Sequence, residues 1–260
     1  MIGVTAALER TPATRYQLRW EIAIVLLLSL GHSAVYAVVS LVAKLTAGPP
    51  LSQQAAVLNQ SRSPRIYLDL TYQLLGIFFA LVPVLLVLYL LSRDRLDPAR
   101  TLGIDLRRPA GDAGWGVALA AVIGLPGLLL VYVAAQLGLN AQIVPAALQP
   151  VWWAVPVLIL SAMQNAILEE VIVVGYLVTR LRELGWRLGY IVAASSVLRG
   201  SYHLYQGFGA FVGNAVMGVL FSLFFLRKGR VMPLIVAHTL LDVVAFVGYT
   251  LLPDRWLTWL

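Results

Sequence analysis

The 260-residue chain contains no cysteine, which excludes disulfides, thiol nucleophiles and thiolate-ligated zinc or iron–sulfur centres. Charge is scarce as well. Only 12% of the residues are Asp, Glu, Lys or Arg, where a soluble domain carries about 25%. Lysine is nearly missing: Lys44 and Lys228 are the two lysines among 19 basic residues, a usage that accords with a GC-rich genome. No repeat or low-complexity tract is evident. What fills the chain instead is apolar, 60% hydrophobic with a mean hydropathy of +0.84. That composition predicts an all-α, polytopic transmembrane helix bundle. The net charge of +7 comes from arginines flanking apolar runs, so it reads as topology-setting and not as a nucleic-acid surface.

The apolar runs predict about seven spans (six to eight), with the N-terminus in the cytoplasm. They lie near 22–45, 66–91, 113–137, from 151 towards Arg180, 188–205, 208–226 and 231–252. The first is too long for a signal-peptide core and is expected to be retained. Pro83 is expected to kink the second span and Gly124-Leu125-Pro126-Gly127 to break the third. Trp152 and Trp153 should anchor the fourth at the interface. Residues 46–65 read as a polar loop, and 138–150 as a short loop or re-entrant stretch. Basic residues concentrate in 1–20, 93–112, 180–187 and 227–230, against Lys44, Arg62, Arg65 and Arg255 on the other face. The organisation expected is a cytoplasmic tail (1–20), a three-span region (21–150), a four-span core (151–252) and a C-terminal tail (253–260).

Chemistry concentrates in that core. Glu169 and Glu170 are adjacent carboxylates inside the apolar run 168–177, and an acid at membrane depth costs at least ~2.5 kcal/mol, so it marks a functional site by default. Reading spans four and five as an antiparallel hairpin around Trp186 sets Glu170 level with His203, and Val174 opposite Arg199. His238 and Asp242 on the last span share a helix face. His32, alone in the first span, reads as a packed or water-contacting side chain. A purely structural network would use Ser, Thr, Asn or Gln, each worth about 0.6 kcal/mol as interhelical glue without a charge penalty. Two acids, two imidazoles, an Asp and an Arg suit general-base activation of water better. The same set could hold a divalent metal such as zinc, through Glu169, His203, His238 and Asp242. The short HExxH spacing is absent, and the metal question stays open at this level.

Three motifs in order, Glu169-Glu170-(x)4-Gly175-Tyr176-Leu177, Ser195-Ser196-(x)6-His203 and His238-(x)3-Asp242, resemble those of the CPBP family, the CAAX-protease and bacteriocin-processing (Abi-type) intramembrane proteases. The resemblance covers roughly 150–248. It implies that Glu169, with Glu170 beside it, activates water for peptide hydrolysis, that His203 and His238 assist, and that Asp242 supports the oxyanion or the site. Two positions depart from the family's pattern. Val174 stands where the family usually has Arg, and Arg199 where it usually has Phe, as though the cation had crossed the helix–helix interface. Arg199 is thus a supporting residue.

The expectation is an intramembrane endopeptidase in the bacterial plasma membrane, glutamate-dependent and potentially metal-dependent. Its substrate would be a peptide or a lipidated, membrane-anchored protein, reached through a polar chamber open towards the cytoplasmic half, with no nucleic-acid partner. The rivals are a non-proteolytic scaffold or immunity-type protein on the same fold, and a proton-coupled transporter.

Overall fold

A computed structural model describes residues 14–94 and 97–251. Most of the N-terminal tail, with Arg10, and the C-terminal tail 253–260, with Arg255, lie outside the described residues. Helix α1 (Arg15–Leu27) opens on a capping box, in which Gln17 N–H donates to Thr14 Oγ1 and Thr14 N–H donates to the Gln17 side chain. It meets α2 (Leu30–Leu45) at a 53° bend, beside which Ser29 Oγ donates to the Val25 carbonyl. The first expected span is therefore a bent pair. After strand β1 (Ala55–Gln60) come α3 (Ile66–Ala80) and α4 (Val82–Arg93), joined at Leu81 into one 28-residue apolar unit with Pro83 in the first turn of α4. Proline fits there because the first turn of a helix has no partner for that N–H.

The short α5 (Pro98–Leu102) precedes α6 (Pro109–Gln136), which runs unbroken through Pro126 where a break was expected. Strand β2 (Gln142–Ala147) pairs with β1 in parallel, Val57 opposite Val144 and Asn59 opposite Ala146. Both segments were expected to be irregular. Three stretches then make one long helical unit: α7 (Ala154–Glu169), a π-helical turn (Glu170–Tyr176) and α8 (Leu177–Glu183). Helices α9 (Leu188–Tyr202), α10 (Phe208–Lys228) and α11 (Met232–Leu251) complete the chain.

Among the described residues five helical units are long and apolar enough to cross a membrane, or six with the bent α1–α2 pair. The expected fifth span is the exception. Helix α9 has 15 residues, about 22 Å at 1.5 Å per residue, against the ~30 Å of a hydrocarbon core. The architecture is a polytopic helical bundle, and aliphatic side chains such as Leu129 and Val133 on α6 are exposed on its outside.

The unit Ala154–Glu183 is the hub. In its most apolar window 61% is buried, against 6–33% in the other candidate spans. Its entry differs from expectation. Trp152 is exposed as an interface anchor should be, but Trp153 is 2% exposed and belongs to the interior. At the far end Arg180, fully buried, pairs with Glu21, Asp94 and Glu183 and so ties α1 and α4 to α8. Nearby, Arg230 pairs with Asp105 and Asp112, and the hydrogen bond from Arg230 holds the Asp105 carboxyl below its usual range. At the opposite end, Ser61 Oγ and the Arg62 N–H donate to the buried Asp69, fixing β1 against α3.

Helix α9 lies against α10 at glycine contacts. A Cβ on Gly218 would stand 2.8 Å from Ser196 Cα, which is backbone and cannot swing aside. Gly218→Ala should therefore force α9 and α10 apart and cost about 1–3 kcal/mol by overpacking, read as a lower Tm in detergent. An unchanged Tm would contradict the close approach.

Candidate active site

The acids sit where the α-helix changes its winding. Glu169 is the last residue of α7 and Glu170 the first of the π turn. Such turns often accompany functional sites because the wider i→i+5 winding re-aims side chains. Here the two carboxylates point into different surroundings. Glu170 is fully buried. Its Oε1 accepts from Arg199 Nη2 at 2.5 Å and from His238 Nδ1 at 2.7 Å. Against a carboxylate, Nδ1 must carry the proton, so the imidazole is oriented by the acid. Its Nε2 then lies 3.7 Å from Asp242 Oδ1, and Asn165 Nδ2 donates to the other Asp242 oxygen at 3.4 Å.

Glu169 is held more loosely. Tyr202 O–H donates to its Oε2 at 2.7 Å, Arg199 Nη1 lies 3.7 Å away and His203 Nε2 3.9 Å away. Gln206 Nε2–H faces His203 Nδ1 at 3.2 Å. With Nδ1 accepting, the His203 proton is on Nε2, an atom with no hydrogen-bond partner of its own. Arg199 is completely buried, with its guanidinium 5.3 Å above the Phe221 ring. One guanidinium therefore faces both acids from α9.

The structure thus brings together Glu169, Glu170, Arg199, His203, His238 and Asp242, drawn from three segments. His32 is elsewhere, exposed and stacked 4.6 Å from Tyr36. The hairpin register differs by about one turn. Arg199 meets Glu170 where Val174 was expected, and Ser195 Oγ donates to the Val173 carbonyl. The simple hairpin reading assumed α-helical winding throughout and so missed the π turn. Tyr202 was missed too, although it sits three residues beyond Arg199 on the same helix face.

A cleft of about 1920 Å³ runs between α2 and α3 on one side and α6, α10 and α11 on the other. Glu169, Tyr202, His203, His238 and Asp242 line it; Glu170 and Arg199 do not. Leu58 and Gln60 of β1 and Ile143 and Pro145 of β2 line it, as do residues along the spans of α3, α6, α10 and α11, but no described residue of 93–112, 180–187 or 227–230 does.

Oxygen or nitrogen atoms of Glu169, Glu170 and His238 lie within 4.8 Å of one another, close enough to share a metal ion. This is not the set expected, since Glu170 enters and His203 and Asp242 drop out. The Arg199 guanidinium on Glu170 Oε1 counts against the fit in charge, whereas His238, bonded to Glu170 through Nδ1, leaves Nε2 for a metal and Glu170 Oε2 has no partner.

A family model described as type II CAAX prenyl endopeptidase Rce1-like matches residues 151–244. No curated protein and no solved structure matches the chain. The matched stretch begins just before α7, ends within α11, and contains every residue of the buried acid–imidazole–guanidinium cluster. An Rce1-like, type II CAAX prenyl endopeptidase domain is thus found at residues 151–244 of this integral membrane protein, which agrees with the CPBP resemblance of its motifs.

Proposed function

We propose that the chain is a glutamate-dependent intramembrane endopeptidase that cuts a peptide or a lipidated, membrane-anchored protein in a bacterial plasma membrane. One observation carries the assignment of roles: of the two adjacent acids, only Glu169 lines the cleft, while Glu170 lies behind it with Oε1 held by Arg199 and His238. Glu169 is the base. It takes a proton from a water whose oxygen attacks the scissile carbonyl carbon. The tetrahedral oxyanion is met by His203 Nε2–H, which has no other partner. The C–N bond then breaks, Glu169 passes its proton to the departing amine, and the products are a carboxylate and an amine. Tyr202 holds Glu169 in place. Glu170 and Arg199 are positioning residues: the acid orients His238, and the cation offsets the charge of both carboxylates. Asp242 supports His238 from the far side.

A metal in this position would supply a Lewis acid for the carbonyl, but every step above uses protein groups, because Arg199 already occupies the cation's place. Purified protein treated with a chelator should keep its activity and show no stoichiometric zinc. Inactivation by the chelator, with recovery on added zinc, would reverse the assignment. The activity itself is tested with purified protein in detergent against a peptide library, wild type beside Glu169→Ala and His203→Ala. Cleavage surviving both substitutions would sink the proposal.

A further inference from the structure

His203 sits at the very end of a helix, and much of what holds it there precedes the stretch that matches the family model. It closes α9, and a 3₁₀ turn (Leu204–Gln206) and Gly207 carry the chain on into α10. A helix end leaves carbonyls without partners. Here two consecutive carbonyls are taken by groups from far upstream. Lys44 Nζ, in the last turn of α2, donates to the Tyr205 carbonyl at 3.0 Å and to the Ala55 carbonyl of β1 at 2.9 Å. The Ala141 N–H, just before β2, donates to the Gln206 carbonyl at 2.9 Å. Asn140 Oδ1 accepts from the N–H groups of Gly209 and Ala210 and so caps α10. Beneath the turn Leu41, Leu51, Ala56 and Ala141 form a small apolar core, against which Leu204 and Tyr205 pack.

Lys44 is the member of this set that an interfacial role does not explain. A lysine at the end of a membrane helix ordinarily snorkels its ammonium into water or headgroups. Lys44 is instead half-buried, and its ammonium bridges two backbone carbonyls, one of them 161 residues away in sequence. Gln54 Nε2 donates to the Lys44 and Pro49 carbonyls, which fixes the helix end that carries the lysine. On the other side of the turn Gln206 Nε2 donates to Tyr205 Oη at 2.9 Å and faces His203 Nδ1 at 3.2 Å. The linkage is continuous: from Lys44 to the Tyr205 backbone, and through Gln206 to the imidazole.

From this linkage we infer that Lys44 is a positioning residue for His203, and that the paired segments upstream of residue 151 are part of the working site. The ammonium pins the turn, and the pinned turn lets Gln206 hold Nδ1, which keeps the proton on Nε2. What His203 does with that proton rests on the endopeptidase reading; the linkage itself rests on the hydrogen bonds alone.

The test sets Lys44→Met, which keeps the length of the side chain and removes the donor, beside Lys44→Arg, which keeps a cationic donor. In the purified full-length protein Lys44→Met should lower kcat at least about tenfold, towards the ~10² that a misplacement of about 1 Å costs, with KM within about twofold of wild type. Lys44→Arg should recover most of that loss. A second readout needs no turnover. The chain has three histidines, so a ¹⁵N-histidine NMR spectrum holds three imidazoles, assigned through His32→Gln and His203→Gln. Wild type should show the His203 proton on Nε2. Lys44→Met should move that signal towards the average of both tautomers, with His238 unmoved and Lys44→Arg like wild type. Should Lys44→Met fail to accumulate, Lys44→Gln, uncharged and one bond shorter, is carried through both measurements with changes expected in the same direction. An unmoved His203 signal overturns the inference whatever happens to kcat or Tm, and a lower Tm beside it would make the lysine a structural clasp. A moved signal without any cleavage, wild type included, keeps the linkage and removes the peptidase reading. Cleavage by wild type with an unmoved signal does the opposite.

Discussion

Arg199→Phe should destabilise the protein strongly, and Val174→Arg should rescue it. Arg199 is fully buried, and its guanidinium is bonded to Glu170. Removing one partner of a buried ion pair leaves an uncompensated charge and costs about 3–5 kcal/mol. Val174→Arg alone should also destabilise, by crowding a second guanidinium into a site with no room. Together the two changes restore the arrangement that the related motifs use, Arg four residues after the second Glu and Phe four before the His. Position 174 can serve because it lies on the adjoining turn of the helix that carries Glu170, where i, i+4 side chains meet. The double variant should recover most of the lost Tm, with a coupling of about 0.5–3 kcal/mol in a double-mutant cycle. Additive losses would show that the two positions do not share one cation site.

The two acids should respond differently to the same change. Glu169→Gln should lower kcat by about 10²–10⁴, the usual worth of a positioned base. Stability should stay close to wild type, because Tyr202 can still bond the amide oxygen. Glu170→Gln should instead lower Tm, because it strips Arg199 of its charge partner and unsettles His238. Kinetics and unfolding on the same preparations separate a reacting carboxylate from an orienting one. Equal losses of stability in both variants would mean that both acids are structural.

Much of this was legible before any coordinates. Low charge and long apolar runs announce a helical membrane bundle, since only such runs satisfy the backbone in lipid. The acid pair announces the site, because carboxylates at that depth are too costly to keep without partners. Even the role of Arg199 could be suspected from one cation missing at Val174 and one added at Arg199. Other features left no local trace. The strands β1 and β2 are Ala-Ala-Val-Leu-Asn-Gln and Gln-Ile-Val-Pro-Ala-Ala. Neither alternates clearly, and their pairing joins segments over eighty residues apart. The π turn has no marker residue, and the α8–α9 turn lies nearer Gly185 than the assumed centre at Trp186. Trp153 resembles its neighbour Trp152 in sequence, yet in the turn before α7 one ring is buried and the other exposed. The cleft is set by which helices leave a gap, a property of the packed bundle that no single span encodes.

The central claim is that Glu169 activates water against a peptide bond. Its most direct test is mass spectrometry of cleavage products formed in ¹⁸O-labelled water, wild type beside Glu169→Gln. The account predicts that wild type yields two fragments with one ¹⁸O in the new carboxylate, and that Glu169→Gln yields neither fragment above background. Labelled fragments accumulating at the wild-type rate from Glu169→Gln would contradict it.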